Sequence, residues 1–271
     1  MAGEGNTTES KTRLAKDVLA FLGFLLGVLV VWEAVVRYFA LPAYLLPSVF
    51  DVLRQLGIRF GLLMKHSQVT IIETLAGLAL GGTVGTVTGV AIVYVRLIRT
   101  GLYPLIVGFQ AVPKVAVVPL FVIWFGYGLL PKIAMSFLIS FFPMVVATIA
   151  GLTSVPYSLI EHLKSMNATE WQIFRKLRVP NSLPYLMDGF KISLPLAVIG
   201  AIVGEFIGGS QGLGYLILSS NFQMDTAMMF AALFLLSAMG LALFGLVLLA
   251  ERIFIPWSVS DQEPGEPMAT A

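Results

Sequence analysis

Residues 69–95, VTIIETLAGLALGGTVGTVTGVAIVYV, decide the fold class of this chain. The stretch contains a single charged side chain, Glu73, and it is longer than the roughly 20 helical residues that cross a hydrocarbon core. Its apolar residues follow one another without the polar–apolar alternation of a barrel strand. The stretch is therefore predicted to be a transmembrane helix.

The composition of the whole chain supports the same environment. Hydrophobic residues make up 58% of the 271 residues and charged residues 12%, against about 45–50% and about 25% in soluble proteins. The mean hydropathy is +0.90. The absence of Cys excludes disulfides and Cys-ligated zinc, the two histidines stand far apart, and a net charge of +2 is too small for a nucleic-acid binder. These values indicate an integral membrane protein.

Six stretches are predicted to cross the membrane as helices, which makes the chain an all-α polytopic membrane helix bundle. They are residues 18–36, 69–95, 102–125, 132–151, 190–209 and 227–250. The first is too long for the apolar core of a signal peptide, so an uncleaved helix is expected.

The segments outside these spans are short. The transmembrane domain is predicted to cover 18–256, between a tail at 1–17 and a disordered tail at 257–271, and residues 1–10 are also predicted to be disordered. Residues 48–63 repeat apolar positions at helical spacing and are expected to form a helix in the interface plane.

The basic residues orient the spans, because Lys and Arg concentrate on the cytoplasmic side. Those on the predicted inner side are Lys11, Arg13, Lys16, Arg96, Arg99, Lys164, Arg175, Lys176, Arg178 and Arg252. Four fall on the predicted outer side, between the first two spans: Arg37, Arg54, Arg59 and Lys65. The majority places both termini in the cytoplasm.

Small residues form stripes on two of the spans. Gly77, Gly81, Gly85 and Gly89 recur at every fourth position of the second span, and Gly200, Gly204 and Gly208 do so in the fifth. Such stripes let helix backbones approach closely, so both are predicted to be packing surfaces of a polytopic bundle.

The third span is predicted to be bent or broken, because Pro113 and Pro119 each remove a helical hydrogen bond. Backbone of this kind is tolerated at membrane depth only against protein or a water-filled cavity. Lys114 lies roughly 18 Å into the span, near the middle of the bilayer, where a charge marks a candidate functional site. The predicted pathway residues are Gln110, Pro113, Lys114, Pro119 and Glu205.

Glu205 is placed at a similar depth to Lys114 and is the carboxylate expected near it. A structural ion pair between the two, a lining of a pathway and snorkelling of Lys114 all stay open. Glu33 and Glu73 are placed near the external ends of their spans, within reach of water.

Residues 152–189 form a long predicted cytoplasmic loop, which reads SLIEHLKSMNATEWQIFRKLRVPNSLPY from Ser158. A first short helix is expected to close at Asn167, a residue that tolerates the left-handed conformation. Thr169 and Gln172 form a capping box that opens a second helix, which Pro180 is expected to end. The loop is therefore predicted to be a helical hairpin.

The segment 161–180 resembles the EAA loop of ABC-importer permeases, whose pattern is E-A-A, three residues, Gly, nine residues and I-x-L-P. Glu161 and Pro180 match the pattern, Asn167 stands at the Gly position, and His162 and Leu163 replace the two alanines. Four further stretches resemble permeases of the sulfonate/nitrate/taurine type, so the resemblance extends over residues 42–257. They are 70–89, 113–128, 204–215 and 251–257.

The resemblance implies a membrane-spanning subunit of an ATP-driven importer in the bacterial inner membrane. It implies two copies around a shared pathway, an external solute-binding protein and a cytoplasmic ATPase that receives the loop. The implied coupling residues are Glu161, His162, Leu163, Asn167, Ala168, Trp171 and Pro180. The chain lacks GxxxxGK[ST], so ATP and Mg²⁺ are expected on the ATPase and no cofactor on this chain. The resembled family transports sulfonates, nitrate, bicarbonate and vitamin precursors, and the sequence does not choose among them.

Three other classes are alternatives to an importer, and one of them, a scaffold with no transport role, would not explain the kinked, Lys-bearing third span. An ion-coupled secondary transporter or channel would use Lys114 and Glu205 as a charge relay and would need no ATPase. A membrane-embedded enzyme would need clustered His or acidic residues or a nucleophile–base pair, which the sequence lacks, so neither catalytic nor metal-binding residues are predicted.

Overall fold

The computed structural model describes residues 5–259, with side chains at 19–20 and 23–257, and every regular element in that part of the chain is a helix. The longer helices are α1 (Gly5–Tyr38), α3 (Phe60–Tyr94), α4 (Arg96–Gln110), α6 (Leu129–Thr153), α9 (Val179–Gly208) and α11 (Thr226–Phe254). The shorter ones are α2 (Val49–Ile58), α5 (Val118–Phe125), α7 (Tyr157–Ser165), α8 (Glu170–Ile173), α10 (Leu213–Phe222) and α12 (Pro256–Val259). The all-α prediction is confirmed.

Four helical segments of the described residues are long and apolar enough to cross a membrane: Phe60–Tyr94, Leu129–Thr153, Glu170–Gly208 and Thr226–Phe254. A fifth consists of Arg96–Gln110 and Lys114–Phe125, which meet at an angle of 101°. These five correspond to the second to sixth predicted spans. The first, 18–36, lies inside α1, whose side chains are described only in part.

Part of each end that was predicted to be disordered is helical. Helix α1 already begins at Gly5, and α12 covers Pro256–Val259. The rest of those two predictions, residues 1–4 and 260–271, lies outside the described residues.

The chain divides into two compact units, and the first consists of residues 1–61 and 217–233. Here the indole of Trp32 donates to the carbonyl of Pro47 at 3.1 Å, and the Val49 N–H donates to Glu33 at 2.9 Å. These bonds hold the start of α2 against α1. Ser48 caps α2, which ends at Ile58, so the predicted helix at 48–63 is confirmed up to there and the rest belongs to α3.

Helix α6 is the centre of the second unit, residues 62–216 and 234–271. The glycine stripe of α3 packs on it so closely that a Cβ at Gly85 would lie 2.8 Å from that of Met144. The stripe of α9 packs on α6 as well, and a Cβ at Gly200 would lie 2.7 Å from the Ser136 Cα. Both stripes are therefore backbone-contact surfaces, as predicted.

The third span is broken, as predicted, but by one proline rather than two. Helix α4 ends at Gln110, and Pro113 adopts an extended conformation before a 3₁₀ turn at Lys114–Val117. Pro119 lies in the first turn of α5, where the missing N–H would have no helical partner. Pro119 therefore starts a helix instead of kinking one.

The fifth span begins earlier than predicted, because Pro180 does not end the second hairpin helix. Residues 174–178 form a π-helical turn, and α9 continues directly from Val179 with Pro180 in its first turn. The proline is accommodated because the preceding π-helical turn changes the hydrogen-bond register, with the Val179 N–H donating to the Phe174 carbonyl. The predicted loop at 152–189 is thus reduced to a compact hairpin that joins α6 to a helix running without interruption to Gly208.

Candidate functional site

The hairpin between α6 and α9 has a small apolar core of its own. Its buried residues are Val155, Ile160 and Ile173, whose surfaces are 7%, 8% and 1% exposed, and Leu163 and Leu177 pack against them. The core brings α7 and α8 together, because each supplies residues to it. The hairpin is therefore a preformed body rather than a flexible loop.

Local backbone geometry sets the turn of the hairpin as the sequence predicts. Asn167 has a φ of +59°, and the Ala168 N–H donates to the Leu163 carbonyl at 3.0 Å. The capping box of Thr169 and Gln172 is present with both of its hydrogen bonds. Both predictions are confirmed, because they depend only on residues close in sequence.

The proposed coupling residues divide into two sets. Leu163 and Ala168 pack against the hairpin core, whereas the others are exposed: Glu161, His162, Asn167, Trp171 and Pro180. Trp171 keeps 65% of its surface exposed although it is among the largest side chains of the chain. Exposed Trp on a rigid support is typical of residues that bind a partner protein.

Two contacts that the sequence did not predict hold the hairpin in place. Lys164 bridges the turn to Glu170 at 2.6 Å, and this hydrogen bond raises the pKa of Lys164 above its ordinary value. Phe174 packs between Trp171 and Tyr94 with ring centroids 5.5 Å apart in each pair, which ties the hairpin to the end of α3.

Lys114 lines a cavity of about 450 Å³ in the second unit. Its ammonium lies 5.2 Å from the ring centroid of Phe142, close to the middle of α6. Gln110 lines the same cavity, as predicted, and so do Tyr185 and Asp188 from α9, which the sequence did not single out. The half-buried cation thus shares this cavity with two aromatic side chains, one amide, one carboxylate and several apolar residues.

Of the three alternatives for Lys114, the ion pair with Glu205 is contradicted, because the two side chains form no salt bridge in the described residues. Glu205 accepts hydrogen bonds from the Thr70 hydroxyl at 2.7 Å and from the Gly214 N–H. The turn of α9 that contains Glu205 packs on Lys132, because a Cβ at the neighbouring Gly204 would lie 2.7 Å from the Lys132 Cα. Lys132 and Phe142 are ten residues apart on α6, which corresponds to roughly 15 Å along the helix axis. Lys114 and Glu205 therefore lie at different depths.

A second site, which contains buried charged side chains, lies at the end of the bundle where Glu205 is found. The Lys132 ammonium donates to Glu73 at 2.8 Å and to the Gln211 carbonyl at 2.8 Å. Glu73 is fully buried, at 0% exposure, which corrects the expectation that water reaches it. The Leu213 N–H donates to Thr70 at 2.8 Å, so the site holds the segment that follows α9. Lys132 stands at the predicted start of a span, where a basic residue is ordinary, so the sequence did not single it out.

The sequence is similar to those of known transport proteins. Residues 77–256 match the model of a family described as the binding-protein-dependent transport system inner membrane component. The chain is 37% identical to the formylaminopyrimidine transport permease protein ThiX of Halalkalibacterium halodurans, covering 86% of this chain and 94% of that protein. It is 36% identical to the riboflavin transport system permease protein RibX of Chloroflexus aurantiacus, covering 87% and 89%.

A solved structure has the same fold. An inward-facing form of the MetNI methionine ABC transporter superposes with a TM-score of 0.60 at 25% identity, covering 72% of this chain and 95% of the matched chain. The predicted resemblance to ABC-importer permeases is confirmed.

Proposed function

This chain belongs to the family of binding-protein-dependent transport system inner membrane components, and on that premise we propose how its two sites divide the work of transport. The chain is a multi-pass permease subunit of an ABC importer in the bacterial inner membrane and is a transport subunit rather than an enzyme. Its family works with an ATPase and a binding protein, so the secondary-transporter alternative is set aside.

The hairpin at Tyr157–Arg178 is the docking site for the ATPase in this proposal. The observation that carries it is the exposed Trp171 on a hairpin with its own core, packed against the end of α3. A preformed hairpin transmits a push from the ATPase into α9, because helical structure runs from Glu170 to Gly208. ATP and Mg²⁺ bind to the ATPase, and both termini of the permease lie on the ATPase side of the membrane.

Co-purification of the ATPase with the permease tests this assignment. Trp171→Ala should reduce the amount of ATPase retained by at least about tenfold, as expected when a central aromatic residue of an interface is truncated. Trp124→Ala is the matched control, since Trp124 is 64% exposed on α5 and lies outside the hairpin. Equal ATPase retention in the two variants would refute the docking site.

The Lys114 cavity lines the translocation pathway in this proposal, with a second copy of the chain supplying the opposite wall. The half-buried ammonium lies beside Phe142 and shares the cavity with Tyr185 and Gln110, which offer a ring face and amide hydrogen bonds to a planar solute. The names of the two relatives specify a pyrimidine and a flavin as their solutes. We infer that the solute of this importer is a nitrogen heteroaromatic compound of the vitamin-precursor class.

Uptake into membrane vesicles carrying the complete transporter distinguishes the solute classes. ATP-dependent uptake of a labelled pyrimidine or flavin is expected, and an excess of taurine should not compete with it. Uptake of taurine or an alkanesulfonate in place of the heteroaromatic compound would overturn the solute class and leave the permease function intact.

A further inference from the structure

Four basic residues lie on the predicted external side, where Lys and Arg are ordinarily scarce, and two of them line one cavity. The cavity has a volume of about 370 Å³ and lies within the first unit. Arg54 and Arg59 line it together with Asp51, in α2, and with Asp225 and Thr226 at the start of α11. Neither ATPase docking nor the Lys114 cavity accounts for this site.

Helix α2 presents three different faces beside the cavity. Val52 is buried at 2% exposure, whereas Phe50 and Leu53 expose 69% and 58% of their surface. Arg54 and Gln55 lie on the third face, toward the cavity. A helix with an exposed apolar face beside a cationic face is typical of helices that lie in the membrane interface.

Other side chains of the same unit fit a position at the interface. Three further aromatic residues are exposed near the end of α1 and before α2: Tyr38, Phe39 and Tyr44. Aromatic side chains concentrate at the level of the lipid headgroups, where their rings meet acyl chains and their polar atoms meet water. We therefore expect the cavity to open at the level of phospholipid phosphates.

The two carboxylates that line the cavity do not pair with its two arginines. Both are exposed, and neither forms an ion pair with any other described residue. The carboxylates present are already engaged at helix N-termini, since Asp51 accepts from the Ser48 hydroxyl at 2.7 Å and Asp225 from the Met228 N–H at 3.1 Å. The helix dipole offsets part of their negative charge.

We propose that Arg54 and Arg59 bind the phosphodiester group of a membrane phospholipid whose acyl chains pack along Phe50 and Leu53. The planar guanidinium fork matches the oxygen geometry of a phosphate and donates two hydrogen bonds to it. The site anchors α2 at the membrane surface where α1 ends and α3 begins. This function explains why the external segment carries arginines against the usual charge distribution.

Thermal unfolding of the purified, delipidated full chain in detergent tests the site while short-chain phosphatidylglycerol is added. The lipid should stabilise the wild type, and the concentration for half of the effect should rise about tenfold in Arg54→Gln and in Arg59→Gln, as expected for loss of a charge-assisted hydrogen-bonded pair. For Arg54→Lys the concentration for half of the effect should lie between those of the wild type and Arg54→Gln, because Lys keeps the charge but lacks the planar guanidinium fork.

Lys65→Gln is the matched control, since it removes the same charge from the same external segment but does not line the cavity. It should respond to lipid as the wild type does. An equal response of Arg54→Gln and Lys65→Gln would overturn the proposal. So would equal stabilisation by inorganic phosphate or by a short-chain diacylglycerol, which would indicate a free anion or acyl chains alone. Loss of the dimer in both arginine variants without lipid would instead indicate a contact with a second copy and would also overturn it.

Discussion

The Lys132 ammonium lies 2.8 Å from Oε1 of Glu73, and these side chains are only 3% and 0% exposed. Glu205, likewise at 0% exposure, lies in the same cluster. One ammonium and two carboxyl groups thus join α3, α6 and α9 with the Gly209–Gly214 segment at one end of the bundle. Because desolvated charges depend on their partners, this cluster makes three helices and one loop interdependent.

Lys132→Met should be strongly destabilising, by about 3–5 kcal/mol, because it leaves buried carboxyl groups without their cation. The double variant Lys132→Met with Glu73→Gln should regain part of that loss. Thermal unfolding in detergent measures both, with Lys164→Met as the control at an exposed ion pair. A stability of Lys132→Met equal to that of the wild type would show that the cluster does not hold the bundle together.

Gly200→Ala should destabilise the chain by about 1–3 kcal/mol, the usual cost of overpacking a tight helix contact. The added Cβ would lie 2.7 Å from the Ser136 Cα and 2.9 Å from the Met135 carbonyl oxygen, and neither backbone atom can turn away. Gly240→Ala is the matched control, since a Cβ there meets nothing within 4 Å. The control should match the wild type or exceed it, because alanine favours the helix. Equal unfolding temperatures for the two variants would count against the close packing of α9 on α6.

Lys114→Met should abolish most solute uptake with little change in unfolding temperature. Lys114 is only half-buried, and its contact with Phe142 is worth about 0.5–2 kcal/mol. The double variant Lys114→Met with Glu205→Gln should show additive changes in the free energy of unfolding, within about 0.5 kcal/mol, because the two residues share no partner. Wild-type uptake by Lys114→Met would remove this residue from the pathway, and strong coupling in the double variant would contradict their separation.

Asn167→Val should weaken ATPase association while the permease remains in the membrane. Asn167 has a φ of +59°, which a β-branched residue adopts only with strain of about 1–3 kcal/mol. Asn167→Gly should behave as the wild type, since glycine adopts this conformation freely. The retained ATPase is measured on both variants, and a loss in Asn167→Gly as large as that in Asn167→Val would point to a direct role of the amide side chain instead.

Features set by neighbouring residues were determined by the sequence alone. The apolar length of the spans, the left-handed Asn167 and the Thr169–Gln172 capping box depend on hydropathy and on hydrogen bonds within a few residues. The break at Pro113 is local for the same reason, because a missing N–H acts on its own helix. The spacing of the glycine stripes likewise predicted that α3 and α9 each present a packing surface.

Partners across helices were decided only by the tertiary structure. The sequence places Lys114 level with Glu205, but the chain bends sharply between α4 and the turn that contains Lys114, so the depth of Lys114 does not follow from its distance to the span end. Lys132 and Glu73 are 59 residues apart in sequence and meet only because α3 and α6 pack through small residues. No local pattern records such a pairing, since the cost of burying a charge is offset by whichever helix packs against it.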